Sequence, residues 1–412
     1  MLDMLTTIRF DSLRHVNAEP GPGKLPPLVC RAPGMGAITV VSGKQVWRLF
    51  IRLGIEMMKK LAVGVVACLG ACGAYAQSSV TLYGRIASGL DVVTNVATPN
   101  GQSKPVFRFG SNQRGISWWG MTGKEDLGGG LHAVFKLESM FSAGTGQVAT
   151  PNTLFDRFAY VGLEDDRYGS LWVGRAMSLT DETGWLLDPI GEVSTGIANF
   201  AKGRAWGSRT NTVTYNSPTW GGLSFRLQNG FGNVAGNFRS ARQLSASAAY
   251  SLGNFNAYGV YEEIRDANGK FSGLFSASRE YMAGATYQLN AVKLFGGYQA
   301  LVSSGQDTVA DSLNPTASTR SQQEWLGAQY QVDPALMLQA AWFHGNVNHG
   351  GGSGNLGVLG ASYALSKRTV LYATFGAMFN GRNSNFPVET NDALPLPGHN
   401  QQGGFLGMMH YF

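Results

Sequence analysis

The stretch Leu131–Phe141, LHAVFKLESMF, is the feature that most limits what this chain can become. Leu131, Ala133, Phe135, Leu137 and Phe141 alternate with His132, Val134, Lys136 and Glu138. A period of two makes a strand with one apolar and one polar face. A soluble sandwich would turn the apolar face into its core. A membrane barrel would turn it to lipid and leave the polar face to a watery lumen. Alternation alone does not separate these.

The pattern recurs along the chain and predicts sixteen strands. The first covers Val80–Asp91, the second Gly115–Lys124 and the last Gly404–Phe412. Short turns such as Gly253-Asn254 and Asn290-Ala291 alternate with long polar connections such as 303–320 and 381–402. Short turns at one end and long loops at the other are the asymmetry of an outer-membrane barrel. In a closed barrel the last strand must pair with the first, because closure leaves no edge unbonded in lipid. The fold expected is all-β: an antiparallel transmembrane barrel.

The alternation stops for roughly 30 residues at Ala176–Arg209. This stretch carries acids (Asp181, Glu182, Asp188, Glu192), then apolar anchors, then bases (Lys202, Arg204, Arg209). The anchors predict a packed segment, either folded into a lumen or ordered on the surface.

The chain start reads as targeting sequence. Met58-Lys59-Lys60 is a basic head, Leu61–Leu69 an apolar run too short to span, and Ala74-Tyr75-Ala76 a small-x-small cleavage site. This predicts a signal peptide at 58–76 and a barrel domain at 77–412. Residues 1–57 read as a mis-assigned upstream extension. Lipidation at Cys72 is the competing processing event. Residues 1–76 carry nine of the 32 bases and four of the 26 acids, leaving 23 against 22 from Gln77 onward. The net charge of +6 is therefore no argument for nucleic acid. All three cysteines also fall before Gln77, which excludes a disulfide framework or thiolate chemistry in the barrel. No catalytic motif surrounds the histidines from His132 onward. No enzyme activity, cofactor or metal is expected, and His344 and His349 read as polar loop residues.

Several stretches in order carry a family resemblance: AYAQSSVTLYGRIASGLD, GMTGKEDLGGGLHAVFKLESMF, FDRFAYVGLEDDRYGSLWVGR, YALSKRTVLYATFG and the terminal GMMHYF. Together they resemble the general porins of Gram-negative β-proteobacteria. The resemblance implies a sixteen-stranded barrel in the outer membrane, with its third external loop folded inward. It also implies a homotrimer, contact with lipid and lipopolysaccharide, and passive diffusion of small hydrophilic solutes and ions. By position it makes Arg85, Arg157, Arg175 and Arg209 the basic wall of a constriction. Asp181, Glu182, Asp188 and Glu192 become its loop acids. Opposed across confined water, such charges would favour each other's charged form, so low pH would weaken the loop acids first. Where the family commonly has Ser-Arg-Trp-Gly-Leu-Lys-Gly, this chain has Ser117-Trp118-Trp119-Gly120-Met121-Thr122-Gly123. That implies a weaker basic wall and makes Trp118 a candidate lumen aromatic. A substrate-specific porin is the alternative, with Trp118, Trp185 and Trp206 as a sugar track. A plugged structural or adhesive barrel is another. Trp119, Phe158, Tyr160 and Trp172 read as an aromatic outer face and a candidate trimer contact.

Overall fold

The computed structural model describes residues 79–111, 113–191, 194–204, 207–304, 318–390 and 393–412. The segments expected to be extension and signal peptide lie outside them, as do Glu192 and Trp206.

The chain from Ser79 forms one closed antiparallel sheet. Its strands are β1 (Ser79–Ala97), β2 (Ser103–Ser111), β3 (Ser117–Gly128), β4 (Leu131–Phe141), β5 (Phe158–Asp165) and β6 (Gly169–Met177). They continue as β7 (Ser208–Asn216), β8 (Leu223–Gly230), β9 (Gln243–Leu252), β10 (Phe255–Ile264), β11 (Arg279–Leu289) and β12 (Val292–Val302). The series ends with β13 (Arg320–Gln331), β14 (Leu336–Val347), β15 (Gly352–Ala364), β16 (Thr369–Asn380) and β17 (Gln401–Tyr411). β3 pairs with β1 over Ser79–Arg85, and β2 pairs with the same strand over Ser88–Ala97. The two lie end to end as one interrupted barrel strand, so the seventeen segments fill sixteen positions. The expected second strand, Gly115–Lys124, was therefore only the lower part of this position.

Closure runs through the first and last strands. Arg85 faces Tyr411 and Val93 faces Gly403. Gly84 and Phe412 exchange backbone hydrogen bonds at 3.2 and 3.1 Å. With no open edge, backbone donors and acceptors find partners without water. Turns such as Gly128-Gly129-Gly130, all at positive φ, need residues without a Cβ.

The alternation is inverted relative to a soluble protein. Val80, Leu82, Ile86 and Leu90 of β1 are exposed, while Arg85, Ala87 and Asp91 are buried. The same holds on β13, where Leu326 is exposed and Trp325 is not. An apolar outer band around a polar or protein-filled interior is the pattern of a barrel in lipid.

Register corrects one expectation. Trp119 faces outward with Gly84. Phe158 and Tyr160 instead sit opposite Glu138 and Lys136, and Trp172 opposite Gly162. Residues paired across an antiparallel ladder share a face, so these three rings look into the lumen.

Candidate functional site

The long segment after β6 leaves the wall at a bulge. Gly174 has φ +141°, and a Cβ there would lie 2.2 Å from the Ala159 carbonyl oxygen. The register shifts between Gly174 and Ala176 as the chain turns away. It then forms helix α1, Leu179–Leu187. Ser178 caps it, its Oγ accepting from Asp181 N at 3.0 Å, and Asp181 and Glu182 suit the positive helix start. Pro189 follows, and a residue before proline disfavours helix. A short helix α2, Ala198–Ala201, comes later.

This segment packs on the inner faces of β10–β16. Four inward donors on β13 and β14 capture loop carbonyls that have no ladder partner. Trp325 Nε1 donates to Leu187 O at 3.0 Å, and Gln329 Nε2 to Pro189 O at 2.8 Å. Gln339 Nε2 donates to Ile190 O at 2.9 Å and Gln323 Nε2 to Ile197 O at 3.0 Å. Leu179, Leu187, Ile190, Ile197 and Phe200 form one apolar cluster with Trp325, Phe343, Leu356 and Met378. The connection between β16 and β17 joins it. Phe200 and Phe386 have ring centroids 4.9 Å apart, and Asn199 Nδ2 donates to Pro387 O at 2.7 Å.

At the base of the loop the charges are buried and paired. Glu262 of β10 accepts from Arg209 Nε and Nη2, at 3.0 and 2.9 Å. It also accepts from Arg204 at 2.8 Å and from the Thr180 hydroxyl at 3.0 Å. Arg204 reaches Glu280 at 3.1 Å as well. Arg209, expected on the constriction wall, thus lies beneath the loop.

The loop acids do not stand across water from the bases. Asp188 accepts from Ile190 N at 2.8 Å and Ile197 N at 3.2 Å, which staples the turn after α1. Asp181 accepts from Gly207 N at 2.9 Å and ties the two ends of the segment together. Burial pushes both carboxyls up, to about 7, against the pull of those backbone donors. The expectation that these two acids are held in their charged form is therefore reversed. Glu182 remains half-exposed and pairs with Arg226 of β8.

The wall on the other side is charged and aromatic. Arg85 sits 5.0 Å from the centre of the Trp185 ring on α1, and Arg157 sits 5.9 Å from it. Arg157 also lies 5.5 Å from the Trp118 ring, which meets Tyr83 edge-on at 5.2 Å. The structure thus brings together Arg85, Arg157 and Trp118. Arg175 stands apart, donating to Ser208 Oγ at 2.8 Å and Asp156 O at 3.3 Å beside the departing loop.

Glu138 was missed as a site residue, although its polar face was legible. It accepts from Arg157 Nε at 2.6 Å, Lys136 Nζ at 2.9 Å and Tyr83 OH at 2.7 Å. Its place two residues after Lys136 on one strand face was the available signal. Trp185 was named as an apolar anchor of the loop and for a sugar track, and its ring meets Arg85 and Arg157.

A closed antiparallel barrel with an apolar exterior and a polar or protein-filled interior defines a transmembrane β-barrel. Sequence comparison places it further. The family model for the Gram-negative porins matches residues 62–383, and the chain belongs to that family, whose members are outer-membrane channels, not enzymes. It is 35% identical over 184 residues to an outer membrane porin protein of Bordetella pertussis, covering 41% of this chain and 47% of that one. It is 32% identical over 204 residues to the major outer membrane protein P.IB of Neisseria meningitidis, covering 48% and 57%. The matched stretches thus span about half the length of these relatives. The anion-selective porin from Comamonas acidovorans superposes with a TM-score of 0.68 at 22% identity, over 81% of this chain and 100% of that one. That likeness establishes the fold. The barrel and the family place the chain in the outer membrane.

Proposed function

We propose that the chain forms a water-filled channel for passive diffusion of small hydrophilic solutes and ions, with Ser178–Gly207 as its constriction. The contact that carries this reading is Trp185. Its helix is fastened to β13 through Leu187 while its ring reaches Arg85 and Arg157 near the opposite wall. A segment so held narrows the passage without closing the side lined by β3–β8. There, with Arg85 of β1, the bases Lys124, Lys136, Arg157 and Arg226 face three acids, Glu138, Glu164 and Glu182. An excess of fixed positive charge favours anions in a narrow pore. The protein assembles as a homotrimer, since one of its structural neighbours is described in a trimer form. Its outer face meets lipid and lipopolysaccharide.

Planar-bilayer recording tests this. Stepwise conductance with a reversal potential of anion-selective sign is expected under a potassium chloride gradient. A folded protein that inserts without conducting would point to a plugged barrel instead.

A further inference from the structure

The three rings that register turned inward form a strip. Phe158 and Tyr160 follow one another down β5, their centroids 6.0 Å apart and edge-on. Tyr160 then stacks on Trp172 of β6 at 4.6 Å and 11°. Their pairing partners, Glu138, Lys136 and Gly162, step along the strands from the long-loop end toward the short turn at Asp165. The strip therefore descends the wall alongside α1, whose Glu182 pairs with Arg226 at its lower end.

Cations flank it at both ends. Lys136 Nζ lies 4.1 Å from the centre of the Phe158 ring, and Arg157 lies 5.7 Å from it. At the lower end Arg226 lies 5.7 Å from the Trp172 ring. Counting Arg85 and Lys124, this face holds five bases against three acids, Glu138, Glu164 and Glu182. Tyr160, Trp172, Lys136 and Arg226 are all partly accessible. Phe158 is buried against Ala176 and Met177 with Tyr160 packed beside it, so the accessible part of the strip is the Tyr160–Trp172 pair.

We infer that this strip is a binding track for aromatic carboxylates, anions with a flat ring. The carboxylate would be handed from Arg157 and Lys136 to Arg226, while the ring extends the Tyr160–Trp172 stack. A ring in offset or edge contact with aromatic side chains gains attraction beyond its buried area. A neutral sugar could use the rings but not the excess of positive charge. An aliphatic anion could use the charge but not the stacking. This inference rests on the channel reading and deepens it.

The test uses protein purified from outer membranes, with single-channel current carried by potassium chloride. Benzoate, cyclohexanecarboxylate and neutral maltotriose are added in turn. Benzoate and cyclohexanecarboxylate share charge and approximate size, so their difference isolates the aromatic ring. Benzoate is expected to half-block at a concentration about threefold below cyclohexanecarboxylate, the size of one aromatic contact. Trp172→Leu and Tyr160→Leu should bring that ratio toward one. The wild-type comparison stands by itself if either variant fails to assemble. Equal half-blocking concentrations, or block by maltotriose without block by benzoate, would overturn the track and leave the channel standing. No chloride current at all would overturn both.

Discussion

The inner walls of β10–β16 and of β3–β8 are built on the same alternating backbone and face the same lumen, yet they are made of different chemistry. On β13–β16 the inward positions are Trp325, Phe343, Leu356 and Met378, with Gln323 and Gln339 between them. These are side chains for touching protein: apolar surfaces to bury, and amides to meet loop carbonyls. On β4–β8 the inward positions include Lys136, Glu138, Tyr160, Trp172 and Arg226. Lys136, Tyr160, Trp172 and Arg226 keep part of their surface accessible, while Glu138 is buried beneath its partners. The difference teaches that a barrel's inner face records what covers it. One side is the seat of a loop, and the other is, on the proposed channel reading, the wall of a passage.

The largest effect should come from the charges beneath the loop. Glu262→Leu leaves Arg204 and Arg209 buried without their main partner. Removing one side of a buried ion pair costs about 3–5 kcal/mol. The variant should unfold at lower temperature in detergent and expose the loop to protease. Wild-type behaviour would mean that the seat does not depend on this cluster.

Trp325→Ala should come next. It deletes a fully buried ring and the donor to Leu187 O. Such truncations cost about 3–5 kcal/mol when the site cannot collapse. Here part of that loss falls on the loop alone. The expected signature is an intact barrel with raised single-channel conductance, because α1 loses its fastening. An unchanged conductance would separate the loop from the passage.

Asp188→Ala should be milder. It orphans the Ile190 and Ile197 amides, at about 1–3 kcal/mol if they stay buried. Limited proteolysis within residues 188–197 would report it.

The smallest effect is a pH dependence. Asp181 and Asp188 carry folded-state pKa values raised to about 7. A raised carboxyl adds no penalty below its ordinary value near 4. The penalty grows as pH rises toward 7 and is complete above it. The loop should therefore be held more tightly at pH 5 than at pH 8, the opposite of the behaviour expected from opposed charges across water. Loop protection that falls with acid would refute this assignment, and Asp181→Asn should flatten the profile.

The strands, turns and loop asymmetry were legible because lipid demands an apolar outer position at every second residue. β2 was not, since Lys104-Pro105 inside a polar stretch argues against a strand. The faces of β5 and β6 were read wrongly for a physical reason. Phe158, Tyr160 and Trp172 alternate with Val161, Leu163 and Val173, so both faces look apolar and only pairing with Glu138 and Lys136 tells them apart. Arg85, Arg157 and Trp118 lie near one another around Trp185 and Tyr83, Arg85 and Trp118 on β1 and β3 and Arg157 just before β5. The fates of Asp181 and Asp188 were not legible, because burial inside a folded loop depends on contacts from β9 to β14, far away in sequence.

One measurement reaches the contrast between the two walls directly. All three cysteines precede Gln77, so single cysteines can be placed in the barrel and probed with a charged, water-soluble thiol reagent while current is recorded. Lys136→Cys and Ser224→Cys should react quickly and reduce the current. Gln299→Cys and Gln339→Cys, beneath the loop, should stay unmodified in the folded channel. Equal reaction on both walls, or faster reaction beneath the loop, would contradict the account.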